Sequence, residues 1–222
     1  MPTTPAEKPQ RPEYTPAEDL ANSVTHGLGA ALSVAALAIL VTQAALYGDG
    51  WRVVSFSVYG ASLVVLYLAS TLYHAFRSPR LKHFFKGLDH AAIFLLIAGT
   101  YTPFSLVTLR GPWGWTIFGL IWGFAVAGIV FETLFLGRFK RLVVVFYLGM
   151  GWMAVIAIKP LVEALPAAGL GWVAAGGLFY TFGVVFYLWE RLTFNHAIWH
   201  LFVLGGSTCH FFAIALHVLP MK

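Results

Sequence analysis

The chain has 222 residues, of which 59% are hydrophobic and 10% are charged, and its mean hydropathy is +0.77. Soluble domains have about 45–50% apolar and about 25% charged residues, so this composition excludes a soluble globular protein. The single cysteine, Cys209, excludes a disulfide within the chain. The composition therefore predicts an integral membrane protein.

Residues 1–17 differ from the rest of the chain in composition. They hold five of the eleven prolines, interleaved with charged residues. Such a segment cannot bury enough apolar surface to offset the entropy of ordering it. We therefore predict a disordered tail over residues 1–17 and one membrane domain over residues 18–222. The tail does not have the pattern of a secretory signal peptide, because Glu18 and Asp19 separate it from the first apolar run.

Seven apolar runs follow the tail, each near the ~20 residues that a helix needs to cross a hydrocarbon core of ~30 Å. The runs are continuous, whereas the strands of a membrane β-barrel alternate in hydrophobicity. The boundary between the fifth and sixth runs is the least distinct, because Lys159, Pro160 and Glu163 lie inside the fifth run. The pattern predicts an all-α bundle of seven transmembrane helices, at residues 25–46, 53–74, 88–108, 114–136, 142–162, 168–189 and 196–219.

Lysine and arginine are distributed unequally between the two sets of loops. With the amino terminus inside, ten of these fourteen residues fall on the inner side and four on the outer side. This bias predicts an inner amino terminus and an outer carboxyl terminus. Topology and contact with anionic membrane lipids then explain the net charge of +5, so no nucleic-acid partner is expected. The inner residues are Lys8, Arg11, Arg77, Arg80, Lys82, Lys86, Arg138, Lys140, Arg141 and Arg191; the outer ones are Arg52, Arg110, Lys159 and Lys222.

Three histidines form a candidate metal site, because ionisable groups at membrane depth are costly and mark function. His74 ends the second run, and His196 and His200 begin the seventh, so all three fall at the inner depth of the bundle. His196 and His200 are four residues apart and share one helix face. Three imidazoles with an open fourth position are typical of a catalytic zinc site. We therefore predict one Zn²⁺ ion bound by these histidines.

Two further residues fall at the same depth. Asp89 opens the third run, and we expect it to orient the metal ligands or to act as the base that holds the metal's water. Ser70 lies one turn before His74 on the same face, and we expect its hydroxyl to bond the substrate or the developing oxyanion.

The remaining ionisable groups of the spans are interpreted as structural. His26 is expected to brace the first span, and Glu132 to pair with an inner basic residue. His90 is also assigned a structural role. His210 lies ten residues beyond His200, which is ~15 Å along a helix, too far for it to share the metal.

These motifs resemble those of hemolysin III, the bacterial branch of the progestin and adipoQ receptor family, which includes the adiponectin receptors. The resemblance covers about residues 18–219 and implies a seven-helix bundle in the plasma membrane of a bacterium, with its amino terminus inside. It implies zinc on His74, His196 and His200, with Asp89 near the metal's water and Ser70 before the first ligand. The matching segments are Glu18–Gly27, Ser70–His74, Leu88–His90, Asn195–His200 and Gly206–Phe211.

The resemblance implies a zinc-dependent hydrolase acting on a lipid amide or ester. Ceramide-like lipids are the substrates that the eukaryotic receptors of the family suggest. Two alternatives stay open at this point. One is a non-enzymatic sensor or regulator of membrane homeostasis, in which zinc clamps the second and seventh helices. The other is a hemolysin-like channel, although the runs show neither the acidic ring nor the long amphipathic face that lines an ion path. The sequence indicates neither the lipid substrate nor the oligomeric state.

Overall fold

The computed structural model describes residues 14–219, in which all regular structure is helical. Seven helical segments of this range are long and apolar enough to cross a membrane, which confirms the predicted fold. The α-helices are α1 Pro16–Tyr47, α2 Gly50–Ala75, α3 Pro79–Pro103, α4 Pro112–Phe135, α5 Lys140–Gly151, α6 Ile158–Ala164, α7 Ala167–Leu188 and α8 Asn195–His217. A π-helical turn, Phe104–Thr108, extends α3, and a 3₁₀ segment, Trp152–Ala157, joins α5 to α6.

Helix α1 begins at Pro16, one residue before the predicted end of the tail at residue 17. Thr15 caps it in a capping box, in which its hydroxyl accepts from the Glu18 N–H and the Glu18 carboxylate accepts from the Thr15 N–H. Pro16 occupies the first helical turn, where its missing N–H would have no partner anyway. The proline that suggests a disordered segment by composition is therefore part of the helix start. Residues 1–13 of the predicted tail lie outside the described residues.

The fifth span is broken between α5 and α6, where the 3₁₀ segment Trp152–Ala157 interrupts the α-helix. A break leaves backbone groups without partners, and such groups are costly inside a bilayer. The hydroxyl of Tyr101, on α3, satisfies two of them. It donates to the Gly151 carbonyl at 2.7 Å and accepts from the Ala154 N–H at 2.8 Å.

Small residues let the helices approach closely, as in other membrane bundles. A Cβ atom at Gly29 of α1 would meet the ring of Tyr67 on α2 at 2.5 Å, and one at Gly128 of α4 would overlap the ring of Phe94 on α3. The most extensive contacts are those of α1 with α2, α2 with α3, and α7 with α8, and α1 also contacts α8. Because the spans alternate in direction, the starts of α1, α3 and α8 meet the end of α2 at one end of the bundle.

Candidate metal centre

The three histidines of the predicted metal site come together at that end of the bundle. His74, His196 and His200 are all buried, and each offers one ring nitrogen within 4.8 Å of the others. Their ring centroids are 5.1 Å apart for His74 and His196, 5.3 Å for His74 and His200, and 4.4 Å for His196 and His200. The structure thus contains a group of imidazoles that is able to hold a metal ion.

Hydrogen bonds fix the orientation of two of the three rings. His74 Nδ1 lies 3.0 Å from Asp19 Oδ1, and His200 Nδ1 lies 3.2 Å from the carbonyl oxygen of Asn22. Both partners only accept, so Nδ1 carries the proton in each ring and Nε2 presents its lone pair. Among the described residues, His74 Nε2 and His196 Nε2 are buried without a hydrogen-bond partner. Neutral imidazoles whose Nδ1–H donates to a protein oxygen are the usual ligands of zinc, so the donor set fits that ion.

The partners of these rings lie on α1, and the sequence reasoning did not assign them this role. Asp19, Asn22 and Thr25 share one face of α1. Thr25 Oγ1 lies 3.2 Å from His200 Nδ1, and Asp19 also forms an ion pair with Lys82 of α3. The available signal was the spacing of Asp19, Asn22 and His26 along an otherwise apolar helix, which marks a polar face.

Asn22 also approaches His74, but with a hydrogen-bond donor, whereas Asp19 presents an acceptor. Its amide nitrogen lies 3.4 Å from His74 Nδ1. That nitrogen and an Nδ1–H are both donors, so the two cannot bond while Asp19 accepts the Nδ1 proton. The shorter, charge-assisted contact with Asp19 selects the tautomer that leaves Nε2 free.

The start of α8 is tied to α1 through a second carboxylate. Phe194, which precedes α8, has φ 59° and ψ 19°. This left-handed conformation is rare for a bulky residue. The Phe194 N–H donates to Glu18 Oε1 at 3.2 Å, while Glu18 Oε2 closes the capping box of α1. The Glu18 side chain therefore joins the first turn of α8, which carries His196 and His200, to the first turn of α1, which supports them.

Asp89 and Ser70 both lie beside the histidine cluster. Asp89 is buried, and it is close enough to interact electrostatically with His74 and with the Ser70 hydroxyl. Ser70 is completely buried, and no residue in the described range 14–219 bonds its Oγ at ordinary hydrogen-bond geometry. Asp89 lines the adjoining cavity, whereas Ser70 does not. The carboxylate is therefore the more accessible of the two groups.

Two residues assigned a structural role have partners that the sequence did not specify. His26 stacks on His200 with ring centroids 3.4 Å apart and meets the Tyr67 ring edge-on, so it braces a candidate ligand. Glu132 lies close enough to Lys86, an inner basic residue, for an electrostatic interaction, and it also contacts His90. Its Oε1 lies 2.6 Å from His90 Nδ1 and accepts from the Gly137 N–H, because α3 and α4 present these side chains to each other.

An elongated cavity of about 370 Å³ begins at the histidine cluster and runs between α3, the fifth span, α7 and α8. His196, His200 and Asp89 line one end, and Leu109 and Leu170 line the other. Most of the wall is apolar. Its volume lies within the range of small-molecule sites, about 300–1,000 Å³, so the cavity has the size and polarity for an acyl chain.

Comparison with known proteins gives a consistent result. The family model described as haemolysin-III related matches residues 14–211. The chain is 52% identical over 203 residues to hemolysin-3 of Bacillus cereus, which covers 91% of this chain and 93% of that protein. It is 46% identical over 208 residues to the hemolysin-3 homolog of Bacillus subtilis (strain 168), covering 94% and 98%.

A more distant relative is the monocyte to macrophage differentiation factor of Homo sapiens, 30% identical over 214 residues, with 93% of this chain and 87% of that protein covered. No solved structure matches the chain significantly. The family match spans most of the residues from which the fold and the histidine cluster are built. The chain therefore belongs to the haemolysin-III-related family of multi-pass membrane proteins.

Proposed function

We propose that the chain is an intramembrane hydrolase that uses Zn²⁺ on His74, His196 and His200 to cleave a lipid amide or ester. The observation that carries this proposal is that the histidine cluster and Asp89 meet at one end of an apolar cavity. Three imidazole ligands leave a fourth coordination position, as in catalytic zinc sites. The cavity offers space for an acyl chain beside that position.

When bound, Zn²⁺ acts as a Lewis acid and lowers the pKa of a water molecule to about 7. We assign Asp89 the role of accepting the proton of the attacking water and returning it to the leaving amine or alcohol. Asp19 and the Asn22 carbonyl keep His74 and His200 in the tautomer that presents Nε2. The apolar wall excludes bulk water from the reacting bond.

The structure favours a supporting role for Ser70 over the direct contact with substrate expected from the sequence. Its hydroxyl is buried and lies outside the cavity wall, next to Asp89. We propose that Ser70 donates a hydrogen bond to the Asp89 carboxylate and orients it toward the cavity. Ser70→Ala is then expected to reduce turnover less than Asp89→Asn does.

We also propose that the histidine end of the bundle faces the inside of a bacterial plasma membrane. Lys82, which pairs with Asp19, and Lys140, which bonds Glu190 at 2.9 Å, lie at this end. A concentration of basic residues at one end favours the inner side. The amino terminus is then inside and the carboxyl terminus outside, and the reacting bond of a lipid enters near the inner headgroups.

The test is metal analysis of the detergent-purified protein, combined with fatty-acid release from a panel of lipid amides and esters. Wild type is expected to contain one zinc and to release fatty acid, and His200→Ala to lose both. Asp89→Asn, which leaves the ligands intact, is expected to keep the metal and lose turnover. Wild-type protein that binds zinc but releases no fatty acid from any lipid of the panel would contradict the hydrolase.

A structural zinc clamp in a non-enzymatic sensor is the second candidate. It is favoured by the origin of the cluster, because His74 lies on α2 whereas His196 and His200 lie on α8. His196→Ala separates the two: a clamp predicts a large loss of thermal stability, whereas a catalytic ligand predicts lost turnover in a protein that still folds. A channel has less support, because Asp89 is the one carboxylate among the described residues that line the cavity.

A further inference from the structure

A second polar site lies on the cavity wall away from the metal centre. His210 of α8 and Tyr180 of α7 line the cavity, with ring centroids 5.6 Å apart. His210 follows His200 by ten residues on the same helix, a separation of about 15 Å. His196, His200, Val203 and His210 all line the same cavity, so one elongated ligand is able to reach both the metal centre and this site.

The hydrogen bonding of His210 determines what the site accepts. Its Nε2 lies 3.2 Å from the carbonyl oxygen of Val173 on α7. A carbonyl only accepts, so Nε2 carries the ring proton and Nδ1 is a lone-pair acceptor. That Nδ1 is buried and has no partner among the described residues. A buried acceptor without a donor is costly, so the site is complete only when a ligand or a water molecule supplies one.

Gly176 of α7 makes this arrangement sterically possible. A Cβ atom at that position would overlap the His210 imidazole, including Nε2. The glycine therefore lets the ring lie against α7, one turn from the Val173 carbonyl that fixes its tautomer.

Tyr180 adds a second polar group of a different kind. Its hydroxyl lies 2.9 Å from Ser207 Oγ, which also accepts from the Tyr67 hydroxyl at 2.9 Å. Tyr67 and Ser207 are buried behind the wall, while Tyr180 lines the cavity. A phenol hydroxyl both donates and accepts, so Tyr180 adds a second polar group to the stretch of cavity wall that His210 lines.

We propose that this site binds a hydroxyl group carried midway along the acyl chain of a lipid in the cavity. The inference rests on the proposed function, in that the cavity must hold a lipid. A keto or ether oxygen does not fit, because neither is able to donate to Nδ1. A plain hydrocarbon chain leaves the acceptor unsatisfied. The site therefore selects hydroxylated acyl chains over unsubstituted chains of the same length.

The test compares equilibrium binding of ricinoleate and oleate to the purified full-length protein. The two fatty acids have the same chain and double bond, and ricinoleate carries an additional mid-chain hydroxyl. We expect wild type to bind ricinoleate about tenfold more tightly, the change given by one buried hydrogen bond of about 1.4 kcal/mol. Ricinoleate methylated on that hydroxyl, which no longer donates, is expected to bind like oleate. This comparison of ligands needs no variant and does not depend on how a substitution affects folding.

Variants then locate the preference on the protein. His210→Phe keeps a ring but removes the acceptor, and it is expected to abolish the preference for ricinoleate over oleate. His217→Phe, on the same helix but outside the cavity wall, is the matched control and is expected to retain it. Equal binding of ricinoleate and oleate by wild type, or a preference that survives His210→Phe, would overturn the inference and leave the proposed function standing. Binding of neither fatty acid would overturn both.

Discussion

Asp19 is expected to control metal affinity through the tautomer of His74. Its Oδ1 accepts the Nδ1 proton of His74 at 3.0 Å, and the Asn22 amide nitrogen lies 3.4 Å from the same Nδ1. In Asp19→Ala the carboxylate is gone, and the Asn22 amide becomes the remaining partner for Nδ1. Because the NH₂ group of that amide faces Nδ1 and only donates, it favours the tautomer with the proton on Nε2, and this proton blocks the nitrogen that faces the candidate metal site.

Loss of a group that orients a metal ligand lowers metal affinity by about 10–100-fold. At about 1.4 kcal/mol per decade, this corresponds to about 1.4–2.8 kcal/mol. The measurement is a zinc titration of the metal-stripped protein against a chelating indicator of known affinity. Asp19→Ala also removes the pairing with Lys82, so thermal stability is recorded in parallel to separate local loosening from the effect on the metal.

A double variant tests the tautomer argument itself. Adding Asn22→Ala removes the competing amide but keeps the backbone carbonyl that holds His200. The double variant Asp19→Ala, Asn22→Ala is therefore expected to recover part of the zinc affinity lost in the single one. Asp49→Asn, at the start of α2 and exposed, is the control for removal of a carboxylate elsewhere. Zinc affinity of Asp19→Ala within twofold of wild type would refute the assigned role of Asp19.

Further outcomes follow from the same structure. Chelation is expected to lower the melting temperature and added zinc to restore it, because a ligand that binds only the folded state stabilises that state by about 2.7 kcal/mol at 100 times its Kd. Acidification is expected to release the metal in one steep step, since protons compete for the three imidazoles. Zinc analysis during an acid titration checks this. Gly128→Ala is expected to destabilise the bundle by about 1–3 kcal/mol through overlap with Phe94, whereas Gly123→Ala, whose Cβ meets nothing within 4 Å, is expected to have no such cost in thermal unfolding. Tyr101→Phe is expected to cost about 1–3 kcal/mol for the two backbone groups left without a partner, and to speed hydrogen exchange at the break in the fifth span.

The spans and the histidine cluster were predictable because strong physical constraints act on them. The bilayer requires about 20 apolar residues per crossing, so hydropathy alone locates each span. Alternating direction then gives each residue a depth, and depth together with the four-residue spacing was sufficient to group His74, His196 and His200. The structure brings the same three residues together.

The partners of the histidines could not be predicted in the same way. Depth does not say which faces of two helices meet, so neither the contact of Asp19 with His74 nor that of His90 with Glu132 follows from the sequence pattern. From the sequence, Glu18 and Asp19 are interpreted as residues that separate the tail from the first apolar run. The break in the fifth span is stabilised by Tyr101, fifty residues earlier, and no local signal connects the two.

The arrangement around the histidines bears on the choice between a catalytic and a clamping metal. Helices α1, α2 and α8 are already joined without an ion, through Asp19 with His74, the Asn22 carbonyl with His200, and Tyr67 with Ser207. A clamp would add little to helices that protein hydrogen bonds already hold together. Closed structural zinc sites have four protein ligands, and among the described residues this group has three. The cavity begins at His196, His200 and Asp89, so a substrate carbonyl in the cavity would lie next to an ion held by these histidines, and this favours catalysis over a clamp.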